Sequence, residues 1–285
     1  MWLMTIAQAL IYASNQLETT STSALLDADV LLSFILNQSK EYLAANPTIA
    51  LTTEEEEKYL AVIAQRQTGQ PVAYLTGTKE FFGHDFFVSP RVLIPRPDTE
   101  LLVETALALA EPGDTIADIG TGSGCIACSL ALAKTDLHII ATDISADALA
   151  VAQKNAEQLK ANIQFLQGDL LAPLHDQKLD ILVANLPYLS QDQLTTQSPA
   201  TSSLQFEPSL ALAGGSFGLE LYTKFFEQLL VLRHRPRLVA IEIDPGQTNG
   251  TTALINQLLP TATMQIKKDL AGLNRILIIF LKQQA

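Results

Sequence analysis

Three glycines follow an aspartate at the end of a short apolar run, and these residues are the ones whose types and spacing first suggest chemistry. The segment reads Ala-Asp-Ile-Gly-Thr-Gly-Ser-Gly over residues 117–124. Glycine lets the backbone pass close to a ligand, and the free N–H groups of a helix that begins there point toward it. We therefore expect a nucleotide-like ligand at this loop. The residues expected to contact it are Asp118, Gly120, Thr121, Gly122, Ser123 and Gly124.

The spacing of these glycines separates the possible ligands. Dinucleotide-binding loops have the pattern G-x-G-x-x-G, whereas the glycines here stand at 120, 122 and 124. No Gly-Lys-Ser/Thr follows, which excludes a P-loop. Asp118 would repel a phosphate but stabilise a cation, and S-adenosylmethionine carries both an ammonium and a sulfonium group. The loop therefore favours S-adenosylmethionine as the cofactor.

Two further acids stand at the ends of the next apolar runs. Asp143 lies 23 residues after Gly120, where an acid meets ribose hydroxyls in this kind of fold. Asp169 ends the third run and is expected to accept a hydrogen bond from an adenine amino group. Each acid alone also fits a turn at a strand end. Together they indicate a cofactor site, because ligands of open α/β sheets bind at the carboxyl edge of the strands.

A fourth apolar run leads into Asn185-Leu186-Pro187-Tyr188. The Asn185 side chain has an acceptor oxygen, and the carbonyl before a proline faces outward in an extended chain, so together they can accept both hydrogens of an NH2 group. The Tyr188 ring can stack on the planar group that bears it. Such a clamp aims a nitrogen at a methyl donor, and alignment supplies much of the rate. We expect Asn185, Pro187 and Tyr188 to be catalytic and all four residues to bind substrate.

Short apolar runs alternate with helical stretches from about residue 115, which predicts a mostly parallel sheet with helices on both faces. The connection 269–274 is too short for a crossover helix, so the last two strands should pair antiparallel. A seven-stranded, doubly wound, Rossmann-like sheet with an antiparallel last strand is typical of class I methyltransferases. The predicted strands are Thr115–Ile119, Ile139–Thr142, Ile163–Gln167, Ile181–Ala184, Leu238–Ile243, Thr263–Lys267 and Ile276–Leu281, and the predicted helices are Ile126–Lys134, Ala146–Lys160 and Gly218–Leu232.

Helical patterns dominate the beginning of the chain. Apolar spacing predicts helices over Trp2–Leu17 and from Ser23 to near Leu36, and Thr53, followed by four glutamates, is expected to cap a third that runs to about Gln67. The run Phe81–Val88 predicts a β-hairpin with His84 in its turn. The expected division is therefore a small α-helical domain at 1–75, a hairpin linker at 76–90 and a methyltransferase domain at 91–285.

The composition limits the classes of binding partner that we expect. The net charge is −12, and the largest basic cluster is Arg233, Arg235 and Arg237, which argues against stable binding of nucleic acid. Cys125 and Cys128 are expected to be packing residues rather than a redox pair, and no metal is expected. No targeting segment is recognised and no apolar run is long enough to span a bilayer, so we expect a cytoplasmic protein without a membrane partner.

The segment 185–188 resembles methyltransferases that act on planar nitrogen, either adenine amines or glutamine amides. Leu-Ile-Pro-Arg-Pro-Asp-Thr-Glu at 93–100 is similar to the family of release factor glutamine N5-methyltransferases. The similarity extends to Pro-Val-Ala-Tyr-Leu-Thr-Gly at 71–77, Phe-Glu-Pro at 206–208 and Asp-Leu-Ala-Gly at 269–272, and so spans the whole chain.

This resemblance implies methyl transfer from S-adenosylmethionine to the glutamine of a Gly-Gly-Gln loop in class 1 peptide chain release factors, by a monomer. It implies that residues 120–124 and Asp143 bind the cofactor, that the neighbourhood of Leu170 lines the adenine, and that Asn185 lies between cofactor and substrate. The N-terminal helices are implied to help dock the release factor.

The sequence departs from the family pattern at two positions. Leu186 replaces the more usual proline, and Gln205 stands where the family typically has arginine before Phe-Glu-Pro. Arg96 and Glu100 lie in the family segment, but the sequence assigns no role to either. Three alternatives stay open from the residues: an adenine N6-methyltransferase on DNA or rRNA, a ribosomal-protein glutamine methyltransferase, and a non-catalytic S-adenosylmethionine-binding adaptor.

Overall fold

The computed structural model describes residues 3–195 and 203–282, and the chain divides into two compact units. The first unit contains the residues up to Thr78 together with residues 203–206, and the second contains residues 79–195 and 207–282. Among the described residues, no helix has the length and apolar character needed to cross a membrane. The three-part domain division expected from the sequence stays a prediction.

The described residues of the first unit form five α-helices. They are α1 (Ile6–Leu17), α2 (Ala24–Leu36), α3 (Lys40–Ala45), α4 (Thr53–Gln67) and α5 (Val72–Thr76). Fully buried apolar side chains from the longer helices, with Tyr59 among them, form its core. The short helices α3 and α5 were not predicted, because six and five residues give too little periodicity to recognise.

The predicted cap of α4 is wrong by one residue. Thr52, not Thr53, is the N-cap: its hydroxyl accepts from the Glu55 amide at 3.3 Å, and the Glu55 carboxylate accepts from the Thr52 amide at 2.7 Å. Thr53 followed by Glu56 offers the same spacing in the sequence. The Glu56 carboxylate instead accepts from the Met4 amide at 2.7 Å, which leaves the capping box to Thr52.

The second unit opens with a β-hairpin of β1 (Thr78–Phe81) and β2 (His84–Phe87). The placement of His84 in the turn is wrong, because His84 is the first residue of β2. Phe82 and Gly83 make the turn, and both have positive φ, +51° and +76°. Glycine adopts such torsions at no steric cost, so it was Gly83 that marked the turn.

A seven-stranded sheet forms the body of the second unit, in the order β5-β4-β3-β6-β7-β9-β8. Strands β3 to β7 run parallel, and β9 pairs antiparallel with both β7 and β8, as expected for the class I methyltransferase fold. The strands are β3 (Thr115–Ile119), β4 (His138–Asp143), β5 (Ile163–Gln167), β6 (Ile181–Ala184), β7 (Leu238–Glu242), β8 (Thr263–Lys268) and β9 (Asn274–Phe280).

Helices cover both faces of the sheet, and two apolar clusters fill the spaces between the layers. The helices are α6 (Glu100–Leu109), α7 (Cys125–Ala133), α8 (Ala146–Leu159), α9 (Gln191–Thr195), α10 (Glu220–Leu230) and α11 (Thr248–Leu258). The helices α6, α9 and α11 were not predicted. Both cysteines are buried on α7, and burial raises the pKa of each thiol to about 12, which agrees with the packing role expected for them.

The strand register brings the predicted functional residues to one edge. Ile119, the last residue of β3, pairs with Thr142 on β4 and with Ala184 on β6. The residues that follow these three are Gly120, Asp143 and Asn185. They therefore leave the sheet side by side at its carboxyl edge, where open α/β sheets bind ligands.

One buried asparagine ties the hairpin to the end of the glycine loop. Asn155 on α8 is fully buried; its Oδ1 accepts from the Phe87 amide at 2.8 Å, and its Nδ2 donates to the carbonyls of Phe87 at 2.9 Å and Ser123 at 2.8 Å. All three partners are backbone groups, so no side-chain rearrangement can replace these bonds.

We predict that Asn155→Ala lowers the free energy of unfolding by about 2–4 kcal/mol, because it leaves three backbone polar groups without partners. Urea denaturation of both proteins measures the difference. Asn162→Ala, at an exposed position, is the matched control and should stay within about 0.5 kcal/mol of wild type. Equal losses in the two variants would show that these three hydrogen bonds contribute nothing.

Candidate active site

Hydrogen bonds tie the glycine loop after β3 to the end of β4. The amides of Gly120 and Thr121 both donate to the Thr142 carbonyl at 2.9 Å. The next amide, that of Gly122, donates to Asp143 Oδ2 at 2.9 Å. These bonds hold the loop to its neighbour strand, and a bond within the loop, from the Gly124 amide to the Thr121 carbonyl at 2.8 Å, closes its far end.

Two of the loop glycines are required by close packing. A Cβ on Gly120 would stand 3.1 Å from Leu186 Cδ2, and one on Gly124 would stand 3.0 Å from Ala152 Cβ on α8. Both residues also have positive φ, +73° and +81°. Gly122 also has positive φ, +55°, but a Cβ there would meet nothing within 4 Å, so this glycine faces open space.

Asp118 lies beneath the loop. It is completely buried, and its Oδ2 accepts a hydrogen bond from the Thr121 hydroxyl at 2.6 Å. Burial raises the pKa of Asp118 to about 7, although the bond from Thr121 acts in the opposite direction. The sequence predicted a carboxylate beside a cationic ligand, and the structure places this carboxyl under the loop rather than on the cavity wall.

Asp143 stands at the carboxyl end of β4 with both side-chain oxygens engaged. Oδ2 accepts from the Gly122 amide and Oδ1 accepts from the Ser145 amide, each at 2.9 Å. Burial raises the pKa of this carboxyl, and the backbone hydrogen bonds oppose that shift. Each carboxylate oxygen has a second lone pair, so Asp143 can also accept from two hydroxyls of a ligand.

Asp169 and Leu170 follow β5 and line the same cavity. The Asp169 carboxylate forms an ion pair with Lys224 on α10, a partner that the sequence did not predict. Leu170 has a left-handed backbone with φ +54°, and its carbonyl accepts from the Thr142 hydroxyl at 3.2 Å. Its side chain is thereby held against the cavity.

These residues line one cavity of about 240 Å³. Eight of the predicted site residues reach its wall, whereas Asp118, Thr121, Ser123, Gly124 and Tyr188 do not. Five leucines make much of the wall apolar: Leu93, Leu170, Leu186, Leu210 and Leu221. The predicted residues on the wall are Gly120, Gly122, Asp143, Asp169, Leu170, Asn185, Leu186 and Pro187.

The side chain of Asn185 is held from the turn that precedes α6. Its Nδ2 donates to the hydroxyl of Thr99 at 3.0 Å, and Thr99 is itself buried. With Nδ2 engaged there, Oδ1 is the atom left to accept a hydrogen bond in the cavity. Sequence reasoning did not assign Thr99 a role, although it lies in the segment 93–100 that carries the family resemblance.

The backbone of residues 187–189 is held from its outer side. Gln247 Nε2 donates to the Tyr188 carbonyl at 2.8 Å, and the Gly214 amide donates to the Leu189 carbonyl at 2.9 Å. A Cβ on Gly214 would stand 2.7 Å from the Pro187 carbonyl oxygen, so only glycine fits against this segment. Burial raises the pKa of Tyr188 to about 12, and the phenol is therefore neutral near pH 7.

The structure gives Arg96 and Glu100 structural contacts. Arg96 forms an ion pair with Glu207, whose side chain is completely buried and whose Oε2 also accepts from the Ile94 amide at 3.1 Å. Glu100 Oε1 accepts from the Phe82 amide at 3.0 Å. Glu207 belongs to the Phe-Glu-Pro segment, so the sequence singled out this residue without predicting its partner.

The cavity fits the cofactor predicted from the sequence. Gly122 allows close approach, Asp143 offers hydrogen-bond acceptors at the end of β4, and the leucines give an apolar wall for a purine ring. Among residues 3–195 and 203–282, no group of three or more His, Cys, Asp or Glu side chains is placed to hold a metal ion.

We predict that Asp118→Asn becomes more stable relative to wild type as pH rises from 5 to 8. A carboxyl whose pKa is raised on folding contributes stability that is complete below its unfolded pKa of about 4 and is lost as pH approaches about 7. The variant has no such loss. The difference in free energy of unfolding between the variant and wild type, measured by urea titration, should therefore grow by roughly 2 kcal/mol between pH 5 and pH 8. The exposed control Asp147→Asn should show no such trend. A difference between wild type and Asp118→Asn that is constant with pH would contradict the shift.

Comparisons with known proteins agree with this fold. Residues 8–77 match the PrmC N-terminal domain and residues 97–204 match the methyltransferase small domain. The crystal structure of the hMettl16 catalytic domain in complex with a 3′UTR hairpin has a TM-score of 0.58 at 17% identity and covers 82% of this chain and 83% of that chain. A methyltransferase from Pyrococcus furiosus has a TM-score of 0.53 at 18% identity and covers 82% of this chain and 100% of that one. At such identities the two structures show a shared fold.

Whole-chain relatives are much more similar. The release factor glutamine methyltransferase of Bacillus cereus is 36% identical over 280 residues, which are 96% of this chain and 98% of the relative. The protein of the same name from Moorella thermoacetica is 38% identical over 287 residues, 99% of this chain and 100% of the relative. On alignments of this identity over nearly the full length of both proteins, the chain belongs to the family of release factor glutamine methyltransferases.

Proposed function

We propose that this chain transfers a methyl group from S-adenosylmethionine to the side-chain amide nitrogen, N5, of the glutamine in the Gly-Gly-Gln loop of class 1 peptide chain release factors. The observation that carries the proposal is the placement of Asn185. This residue lines the same cavity as the glycine loop while its Nδ2 is engaged by Thr99, so its Oδ1 is available for the NH2 group of a substrate amide. The full-length similarity to enzymes of this name supports the choice of substrate.

The cofactor site is proposed at the edge formed by the loop 120–124, Asp143 and the turn at Asp169 and Leu170. Asp143 would accept from ribose hydroxyls with the lone pairs that its backbone bonds leave free. Asp169, already paired with Lys224, would share its carboxylate with an adenine amino group. Asp118 supports the loop from beneath through Thr121. When bound, S-adenosylmethionine supplies an electrophilic methyl group on its sulfonium.

An amide nitrogen is a weak nucleophile, because its lone pair is delocalised. Asn185 Oδ1 and the Leu186 carbonyl would accept the two N–H hydrogens and fix the direction of the nitrogen. These dipoles also stabilise the positive charge that develops on nitrogen. Tyr188 is not on the wall of the cavity described above, so the stacking of its ring on the amide plane is proposed from the sequence pattern, and the neutral phenol would add no competing charge. The amide proton leaves after methyl transfer, so no strong base is needed beforehand.

The proposal extends to the rest of the chain. The N-terminal helices would help dock the release factor, and they expose the apolar side chains Ile11, Leu25, Leu26 and Phe34 on α1 and α2. With a net charge of −12, the protein would act on protein rather than hold nucleic acid stably. We propose a monomer that acts in the cytoplasm, where translation terminates.

We predict that Asp143→Asn weakens S-adenosylmethionine binding by about 1–3 kcal/mol, because charge-assisted hydrogen bonds to ribose are lost. Isothermal titration calorimetry measures the affinity directly. Asp147→Asn removes the same charge from an exposed position on α8 and should bind as wild type does. Unchanged affinity in Asp143→Asn would argue against the ribose contact.

We predict that wild-type protein adds one methyl group to the glutamine of a purified release factor, and that Asn185→Ala lowers kcat by roughly 100-fold or more while cofactor affinity is kept. Mass spectrometry of the release factor after incubation locates the added methyl group. Asn162→Ala is the matched control and should turn over at the wild-type rate.

Two outcomes would contradict the proposed function. Methyl transfer to DNA or rRNA alone, with none to the release factor, would favour the adenine N6-methyltransferase alternative. Cofactor binding without turnover on any of these substrates would favour the non-catalytic adaptor.

A further inference from the structure

A buried carboxyl lies next to Asn185 at the carboxyl edge of the sheet. Ala184 on β6 pairs with Ile241 on β7, and the residues that follow them are Asn185 and Glu242. Glu242 is 1% exposed, and its Oε2 has no hydrogen-bond partner in the described part of the chain. None of the site residues predicted from the sequence makes use of this carboxyl.

Thr99 connects the two side chains. Its hydroxyl oxygen accepts from Asn185 Nδ2 at 3.0 Å, and the same hydroxyl lies close enough to the Glu242 carboxyl to lower the pKa of that group. A hydroxyl has a single hydrogen and an ionised carboxylate can only accept. Once Thr99 gives its hydrogen to Glu242, only its lone pairs remain for Asn185. The direction of both hydrogen bonds is then determined by the carboxylate.

We propose that Glu242 is a positioning residue that, through Thr99, fixes the orientation of the Asn185 carboxamide, so that Oδ1 rather than Nδ2 faces the substrate amide. The inference rests on the proposed function, because it matters only if the substrate presents an NH2 group. A carboxamide turned the other way would present hydrogens to that group and could not hold it.

Charged groups surround Glu242 on several sides. Arg96 and Asp98 come from the segment before α6, Arg275 comes from β9, Asp244 follows β7, and the Tyr188 and Tyr222 phenols lie nearby. Burial raises the pKa of Glu242 to about 7, while Thr99 and the two arginines lower it. Below that pH the protonated carboxyl can itself donate a hydrogen bond to Thr99. The donor and acceptor roles of Thr99 and Asn185 are then no longer fixed. Turnover should therefore rise as Glu242 ionises.

The experiment compares Thr99→Val, Thr99→Ser and Glu242→Gln with wild type at saturating S-adenosylmethionine, using a purified release factor between pH 5.5 and 9. We expect Thr99→Val and Glu242→Gln to lower kcat by roughly 10- to 100-fold, because the clamp is misoriented. KM and the calorimetric affinity for S-adenosylmethionine should stay within about twofold, since these groups orient the clamp rather than bind the cofactor. Thr99→Ser keeps the hydroxyl and should keep kcat.

The pH profile separates positioning from general structural damage. Wild type and Thr99→Ser should gain kcat with a midpoint near pH 7, and Glu242→Gln should lack that rise. Thr105→Val is the matched control: it removes another buried hydroxyl, one bonded to the Leu101 carbonyl, and should keep both kcat and the pH profile.

A wild-type kcat in Thr99→Val, or an unchanged pH rise in Glu242→Gln, would overturn the inference while the proposed function stands. If Glu242→Gln does not fold, the comparison of Thr99→Val with Thr99→Ser decides by itself, because those two variants differ in the hydroxyl. An inactive wild-type protein would reject the proposed function and this inference with it.

Discussion

The carboxylate of Asp143 is the contact on which the proposed cofactor edge depends. One oxygen accepts from the glycine loop after β3, and the other accepts from Ser145 at the start of α8. Two connections of the sheet are thus joined at a single side chain, which also faces the cavity. The same residue therefore determines the shape of the loop and offers acceptors to the ligand.

The proposed substrate side is organised differently, because residues 185–188 are held by groups that come from distant parts of the sequence. Thr99 lies 86 residues before Asn185, and Gln247 lies 59 residues after Tyr188. Gly214 packs closely against the backbone of the same segment. A weak nucleophile needs alignment more than acid or base strength, and a segment fixed from several directions supplies that alignment.

The sheet could be predicted closely because each strand is a short apolar run between polar residues, and three strands begin and end where expected. The helices α6 and α11 were missed for different reasons: α6 is nearly continuous in apolar residues, whereas α11 contains Gly250 and three threonines. The glycine loop and Asp143 stand at recognisable spacings. The positions of Glu242 and Lys224 relative to the site depend on tertiary pairing, and no local pattern contains that information.

Leu170 illustrates a conflict between backbone and side chain at a single position. A left-handed torsion costs a non-glycine residue on the order of 1–2 kcal/mol, and here that torsion places an isobutyl group on the cavity wall. Glycine would relieve the strain and at the same time remove the surface against which a purine ring can pack. A relaxed main chain and a filled pocket are thus mutually exclusive at this turn.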